Sequence, residues 1–98
     1  MAIVEVSIVP LGLSTTSLSE QVASVLKPLK SSGLQYTLTA MGTIIEGDLK
    51  EVMECVLMMH EVPFQRGVGR VYTTIKIDDR HDKPATMEGK IRSVENNS

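Results

Sequence analysis

"LQYTLTAMGTIIEG", residues 34–47, predicts two β-strands joined by a tight turn. Residues with high β-propensity stand on both sides of a short glycine-containing connection at 40–42, which is the pattern of an antiparallel hairpin. A carboxylate, Glu46, follows two consecutive isoleucines, where it can protect the end of an apolar strand or bind a ligand. The hairpin therefore sets the centre of the fold and offers the first candidate site residue.

A strand and a helix are predicted before this hairpin. In "IVEVSIV", residues 3–9, one face is wholly apolar and the other is mixed, which is typical of a strand in the interior of a sheet. Residues 17–20, Ser-Leu-Ser-Glu, have the form of a capping box, and apolar residues recur at helical spacing from there to Leu29. Gly33 then suits the end of the helix.

A second helix and a last strand are predicted after the hairpin. Asp48, with Glu51 three residues later, has the form of a helix N-cap, and Pro63 is expected to end that helix. Alternating apolar residues at 71–77 indicate a strand. A segment with apolar residues four and three positions apart follows and predicts a short C-terminal helix; these residues are Met87, Ile91 and Val94.

The order of these elements predicts the fold class. Strand, helix, strand, strand, helix, strand is the order of an α+β, ferredoxin-like βαββαβ sandwich. It has a four-stranded antiparallel sheet with two helices on one face, because right-handed crossovers place both helices on the same side. With the short C-terminal helix added, residues 1–98 form a single domain of this class.

This fold leaves the second face of the sheet without helices. Exposed surfaces that are too apolar for water commonly mark a contact with a partner or ligand, and open strand edges invite pairing with another copy. The sequence therefore predicts a homo-oligomer, with a small-molecule pocket where copies meet. The residues expected on that face are Ile3, Glu5, Ser7 and Val9 of the first strand and Tyr72, Thr74 and Lys76 of the last.

Composition and charge argue against several classes of function. A formal charge of −2 gives no electrostatic reason to bind nucleic acid, and no apolar run approaches the roughly 20 residues of a membrane helix. The single cysteine, Cys55, and an N-terminus without a secretory leader fit the cytoplasm. Neither His60 nor His81 has a second ligand at a spacing typical of metal sites, and no nucleophile and base stand in a catalytic pattern. The sequence thus predicts neither a metal site nor an enzyme.

The stretch "SGLQYTLTAMGTIIEG", continued by "VMECVLMMHE" and "RVYTTIKIDDRHDK", resembles the small thiamine-binding protein family. The likeness runs from the first strand to about Lys90, and its most specific part is the Gly-Thr-x-x-Glu-Gly hairpin. It implies a ferredoxin-like fold assembled into homodimers and homotetramers. It also implies cytoplasmic binding of thiamine, or of its hydroxymethylpyrimidine part, without turnover and with no other cofactor.

The resemblance also implies a set of ligand contacts. In it, Gly42 lets the backbone approach a ring closely, and Glu46 matches the donors of an aminopyrimidine or the charge of the thiazolium. The loop with Thr15 and Thr16 has turn formation and capping as its default role, beside a role in binding. The full set of candidates is Ser7, Thr15, Thr16, Tyr36, Thr39, Met41, Gly42, Thr43 and Glu46.

Two functions stay open at this point. The first is a non-catalytic, homo-oligomeric binding protein for the vitamin or its pyrimidine. The alternative is a structural or regulatory interaction module whose sheet surface serves only assembly or a protein partner. Glu5, in the middle of the first strand, raises the same question as Glu46, and it is expected to form a partly buried structural ion pair.

Overall fold

The computed structural model describes residues 1–12, 18–82, 91, 92, 94 and 95. Its elements are β1 (Ala2–Leu11), α1 (Leu18–Ser32), β2 (Gln35–Thr39), β3 (Gly42–Gly47), α2 (Leu49–Gln65) and β4 (Arg70–Asp79). The strands form one antiparallel sheet in the order β2-β3-β1-β4. This order, with a helix in each of the two crossover connections, confirms the predicted α+β ferredoxin-like fold.

The core lies between the sheet and the two helices. Ala2, Val4 and Val6 of β1 are buried, which confirms the wholly apolar face that the sequence predicts for this strand. α1 contributes an apolar stripe that includes the fully buried Leu29, and β3 contributes Ile45. α2 completes the core with Val52, Cys55, Val56 and Met59.

The start of α2 agrees with the sequence, and its end does not. Asp48 has an extended backbone, and its Oδ2 accepts a hydrogen bond from the Glu51 N–H at 3.4 Å, which confirms the predicted N-cap. The prediction that Pro63 ends the helix is wrong, because α2 continues to Gln65 with Pro63 buried inside it. The Arg66 N–H donates to the Pro63 carbonyl at 3.1 Å, so the turn tightens only after the proline.

The C-terminal segment is described at four residues. Ile91, Arg92, Val94 and Glu95 have helical backbone, in agreement with the predicted short helix. Both Ile91 and Val94 are exposed. Met87, the first apolar residue of that predicted helix, lies outside the described residues.

The open face is the side of the sheet opposite the helices, with Ile3, Glu5, Ser7 and Val9 of β1 at its centre. Residues directly paired across an antiparallel ladder share a face, so the register adds Ile44 and Glu46 of β3 and Tyr72, Thr74 and Lys76 of β4. Lys76 Nζ lies 3.6 Å from Glu5 Oε1, and Glu5 is half-buried, which confirms the predicted ion pair. Val9 and Tyr72 are exposed, so the apolar part of this face meets solvent in a single chain.

Candidate functional site

A cavity of about 220 Å³ opens where β1 runs past the end of the β2–β3 hairpin. β3 pairs with β1 only as far as Thr43 opposite Val6, whereas β1 continues along β4 to Leu11. Among the strands that the structure describes, none pairs with the last part of β1 on the β3 side. The hairpin tip, α1 and Met59 of α2 enclose the cavity.

Apolar side chains form most of the cavity wall. Val6 and Ile8 line it from β1, Val25 and Leu26 from α1, and Met59 from α2. Ile8 is half-buried and the other four are buried, so the inner wall is built from the protein core itself. A wall of this kind favours a flat or apolar ligand, because binding removes apolar surface from water on both sides.

Thr39 fixes the hairpin tip that closes one end of the cavity. Its Oγ1 donates a hydrogen bond to the Gly42 carbonyl at 2.9 Å. The same oxygen accepts the N–H groups of Met41 at 3.2 Å and of Gly42 at 3.1 Å. The hydroxyl thus makes all three hydrogen bonds within the turn. Met41, which is 81% exposed, lies at the mouth of the cavity.

Gly42 allows the hairpin to lie against β1. A Cβ atom built on Gly42 would be 2.8 Å from the carbonyl oxygen of Val6, a distance that side chains do not tolerate. Only a residue without a Cβ therefore fits here without moving the backbone. The structure shows Gly42 approaching another strand closely, whereas the family resemblance implies its approach to a ligand ring.

Gln21 is a polar residue of the cavity that the sequence did not predict. It is 3% exposed on α1, and it lines the cavity. Its Oε1 is buried and has no hydrogen-bond partner within the described parts of the chain. The signal that could have found it is its position four residues before Val25, which places a polar side chain on the buried stripe of the helix.

The structure brings four of the predicted site residues together at this cavity. Ser7, Thr39, Met41 and Gly42 line it, and they come from β1 and the hairpin. Residues 13–17, which include Thr15 and Thr16, lie outside the described residues. They connect two residues of the cavity wall along the chain, since Pro10 precedes them and Gln21 follows them.

The other predicted residues lie elsewhere in the fold. Tyr36 is half-buried and packs against the core, and Thr43 pairs with Val6 next to the cavity without lining it. Glu46 lies on the open face, where it pairs with Ile3. It is four residues from Gly42 along β3, about 13 Å at a rise of roughly 3.3 Å per residue.

The cavity offers hydrogen-bonding groups without ionisable ones among the lining residues that the structure describes. Its polar side chains there are Ser7, Gln21 and Thr39. The thiol of Cys55 is buried on α2, where burial raises the pKa of this group. The raised pKa keeps this cysteine as a neutral thiol, which is not the nucleophilic form.

The described lining residues of the cavity therefore support recognition of a small molecule through neutral hydrogen-bonding groups.

No helix in the part of the chain that the structure describes is long and apolar enough to cross a membrane. Within residues 1–12, 18–82 and the described C-terminal positions, no three His, Cys, Asp or Glu side chains are grouped to hold a metal ion.

Comparison with known proteins identifies the family. A family model described as thiamine-binding protein matches residues 4–95. The UPF0045 protein YqgV of Bacillus subtilis is 47% identical over 98 residues, a match that covers 96% of this chain and 94% of that protein. A hypothetical protein of Methanocaldococcus jannaschii has a solved structure with a TM-score of 0.83 at 36% identity, covering 96% of this chain and 95% of that one. A Thermotoga maritima protein proposed to act in thiamine biosynthesis or salvage shares the fold, with a TM-score of 0.78 at 22% identity over 95% of this chain and 97% of that one. The chain therefore belongs to the thiamine-binding protein family.

Proposed function

We propose that this protein binds thiamine or its hydroxymethylpyrimidine part without turnover, as a cytoplasmic homo-oligomer, in the cavity between α1 and the hairpin. The observation that carries the proposal is the meeting of four predicted contacts, Ser7, Thr39, Met41 and Gly42, at one cavity. Family membership supplies the class of ligand. The cavity supplies a site of suitable chemistry within one chain.

The size of the cavity favours the pyrimidine as the buried part of the ligand. Its volume of about 220 Å³ lies below the roughly 300–1,000 Å³ of pockets that enclose drug-sized molecules. A single substituted ring is the smaller of the two candidate ligands. We therefore place the pyrimidine against the apolar wall and direct the rest of the vitamin to the mouth at Met41.

The direct test is calorimetric titration with thiamine and with hydroxymethylpyrimidine, each carried to millimolar concentration. Binding of at least one of them is expected. Val22→Phe, at a half-exposed position on the cavity wall, should weaken that binding at least tenfold by occupying the entrance. Ala23→Phe adds the same ring one position along α1, where it does not line the cavity, and should leave the affinity unchanged.

Three outcomes would contradict this proposal in different ways. Absence of heat with both compounds removes the binding function and favours the alternative of a structural or regulatory module. An equal effect of the two phenylalanine variants removes the cavity as the site. Glu46→Gln is expected to leave the affinity unchanged, because Glu46 lies on the open face. A loss of about 1.5–3 kcal/mol in that variant would place the ligand there instead.

The homo-oligomer part of the proposal rests on the open face. Val9 is 44% exposed and Tyr72 is 62% exposed, and they pair directly with each other across β1 and β4. Exposed apolar surface of this kind is commonly covered by a partner. Sedimentation equilibrium should give a mass of at least two chains, and Tyr72→Glu should lower it. A monomer at micromolar concentration would contradict the assembly without affecting the calorimetric test.

A further inference from the structure

The Gln21 amide is the one polar group of the cavity wall whose oxygen is buried without a partner among the described residues. Buried polar atoms in folded proteins nearly always have a hydrogen-bond partner, and an exception calls for an explanation. Leaving such an oxygen unpaired destabilises the folded protein, because the water that solvated it in the unfolded chain is not replaced. The cavity wall therefore carries a carboxamide oxygen that can accept a hydrogen bond from a donor outside the described residues.

Two neighbouring polar groups on the hairpin and on α1 have partners within the protein. The Thr39 hydroxyl is occupied by three hydrogen bonds within the hairpin turn. Ser24, one turn after Gln21 on α1, accepts a hydrogen bond from the Arg66 guanidinium and does not line the cavity. Gln21 thus differs from both, since it combines burial, a place on the cavity wall and an unpaired acceptor.

A carboxamide has a donor and an acceptor side by side. The same pairing exists in an aminopyrimidine, where an exocyclic amino group lies next to a ring nitrogen. Glutamine and asparagine recognise adenine in this way, through two parallel hydrogen bonds to an amino group and the adjacent ring nitrogen. The chemistry of Gln21 therefore matches a heterocycle with an amino group beside a ring nitrogen.

We propose that Gln21 is the specificity-determining residue of this cavity and that it recognises the amino group of the bound pyrimidine by hydrogen bonding. The assignment rests on the proposed function. On ligand entry, the amide rotates about its terminal torsions to face the cavity. Its Oε1 accepts a hydrogen bond from the exocyclic amino group, and its Nε2 donates to the adjacent ring nitrogen.

The test pairs two ligands with two proteins. The ligands are hydroxymethylpyrimidine and the same compound without its amino group, and the proteins are the wild type and Gln21→Met. The wild type should bind hydroxymethylpyrimidine roughly 5- to 150-fold more tightly than the compound without the amino group. Without that amino group, the buried amide of Gln21 stays unpaired in the complex. Gln21→Met should bind the two compounds with the same affinity, since methionine has a similar length and no strong acceptor.

Protein stability supplies a second readout that a purely structural role would not give. Gln21→Met removes the unpaired oxygen from the ligand-free protein, so its thermal midpoint should rise by a few degrees while its affinity falls. Ser24→Ala is the matched control, because it removes a partnered polar group from the same helix. It should lower the midpoint and leave the preference for the amino compound intact.

The outcomes separate this assignment from the proposed function. If the wild type binds neither compound, the proposed function fails and the role of Gln21 fails with it. If the wild type binds hydroxymethylpyrimidine but Gln21→Met keeps the same preference for the amino group, only the role of Gln21 is overturned. A fall in the thermal midpoint of Gln21→Met together with unchanged affinity would show a structural role and would also overturn it.

Discussion

Replacing Leu29 by alanine is expected to lower the free energy of unfolding by about 2–5 kcal/mol. Leu29 is 0% exposed and lies in the middle of the core cluster between α1 and the sheet. The substitution loses the burial of three carbon atoms and leaves a cavity that the surrounding side chains fill only in part. The free energy of unfolding of a domain of 98 residues is typically only about 5–15 kcal/mol, so the expected loss is a large fraction of its stability.

Leu57→Ala is the control for this prediction, because it makes the same chemical change on α2 at a residue that is 60% exposed. Its effect should stay within about 0.5 kcal/mol. Thermal or urea unfolding followed by circular dichroism measures both variants, with a midpoint shift of about 4–8 °C for each kcal/mol in a domain of this size. Equal losses in the two variants would contradict the position of the core described above.

Gly42→Ala is expected to destabilise the protein by about 1–3 kcal/mol and to remove ligand binding as well. The new Cβ would be 2.8 Å from the Val6 carbonyl oxygen, and both atoms belong to paired strands that cannot swing aside like a flexible side chain. The hairpin must therefore move away from β1. Because the hairpin closes one end of the cavity, that movement deforms the proposed site together with the sheet.

Gly69→Ala is the matched control for this second prediction. A Cβ on Gly69 meets nothing within 4 Å, and its φ is not in the positive range. Its unfolding midpoint and its affinity should remain close to those of the wild type. Gly42→Ala with a wild-type midpoint and wild-type binding would show that the hairpin does not need its close approach to β1.

The fold could be predicted from the sequence because its signals are local. The alternation in β1, the N-cap at Asp48 and the turn of the hairpin each act within a few residues. The end of α2 could not be predicted in the same way. Proline usually ends a helix because it lacks an N–H, but Pro63 is buried and α2 continues past it to Gln65.

The candidate site was only partly predictable. The resemblance to the thiamine-binding family implies Ser7, Thr39, Met41 and Gly42 as ligand contacts, and these four residues lie at the cavity. The cavity itself exists because β1 extends beyond its pairing with β3, and this depends on strand register, which local patterns do not give. The burial of Gln21 could not be predicted for a different reason, because a single glutamine on an amphipathic helix is ordinarily solvent-exposed.

The strand β1 contributes residues to both the cavity and the open face of the sheet. Val6 and Ile8 line the cavity, Val9 belongs to the open face, and Ser7 belongs to the open face and also lines the cavity. A partner seated over Ser7 and Val9 would hold the same backbone that forms the cavity floor. If association of two chains changes the affinity for the ligand by some factor, thermodynamic linkage requires that the ligand changes the affinity between the chains by the same factor.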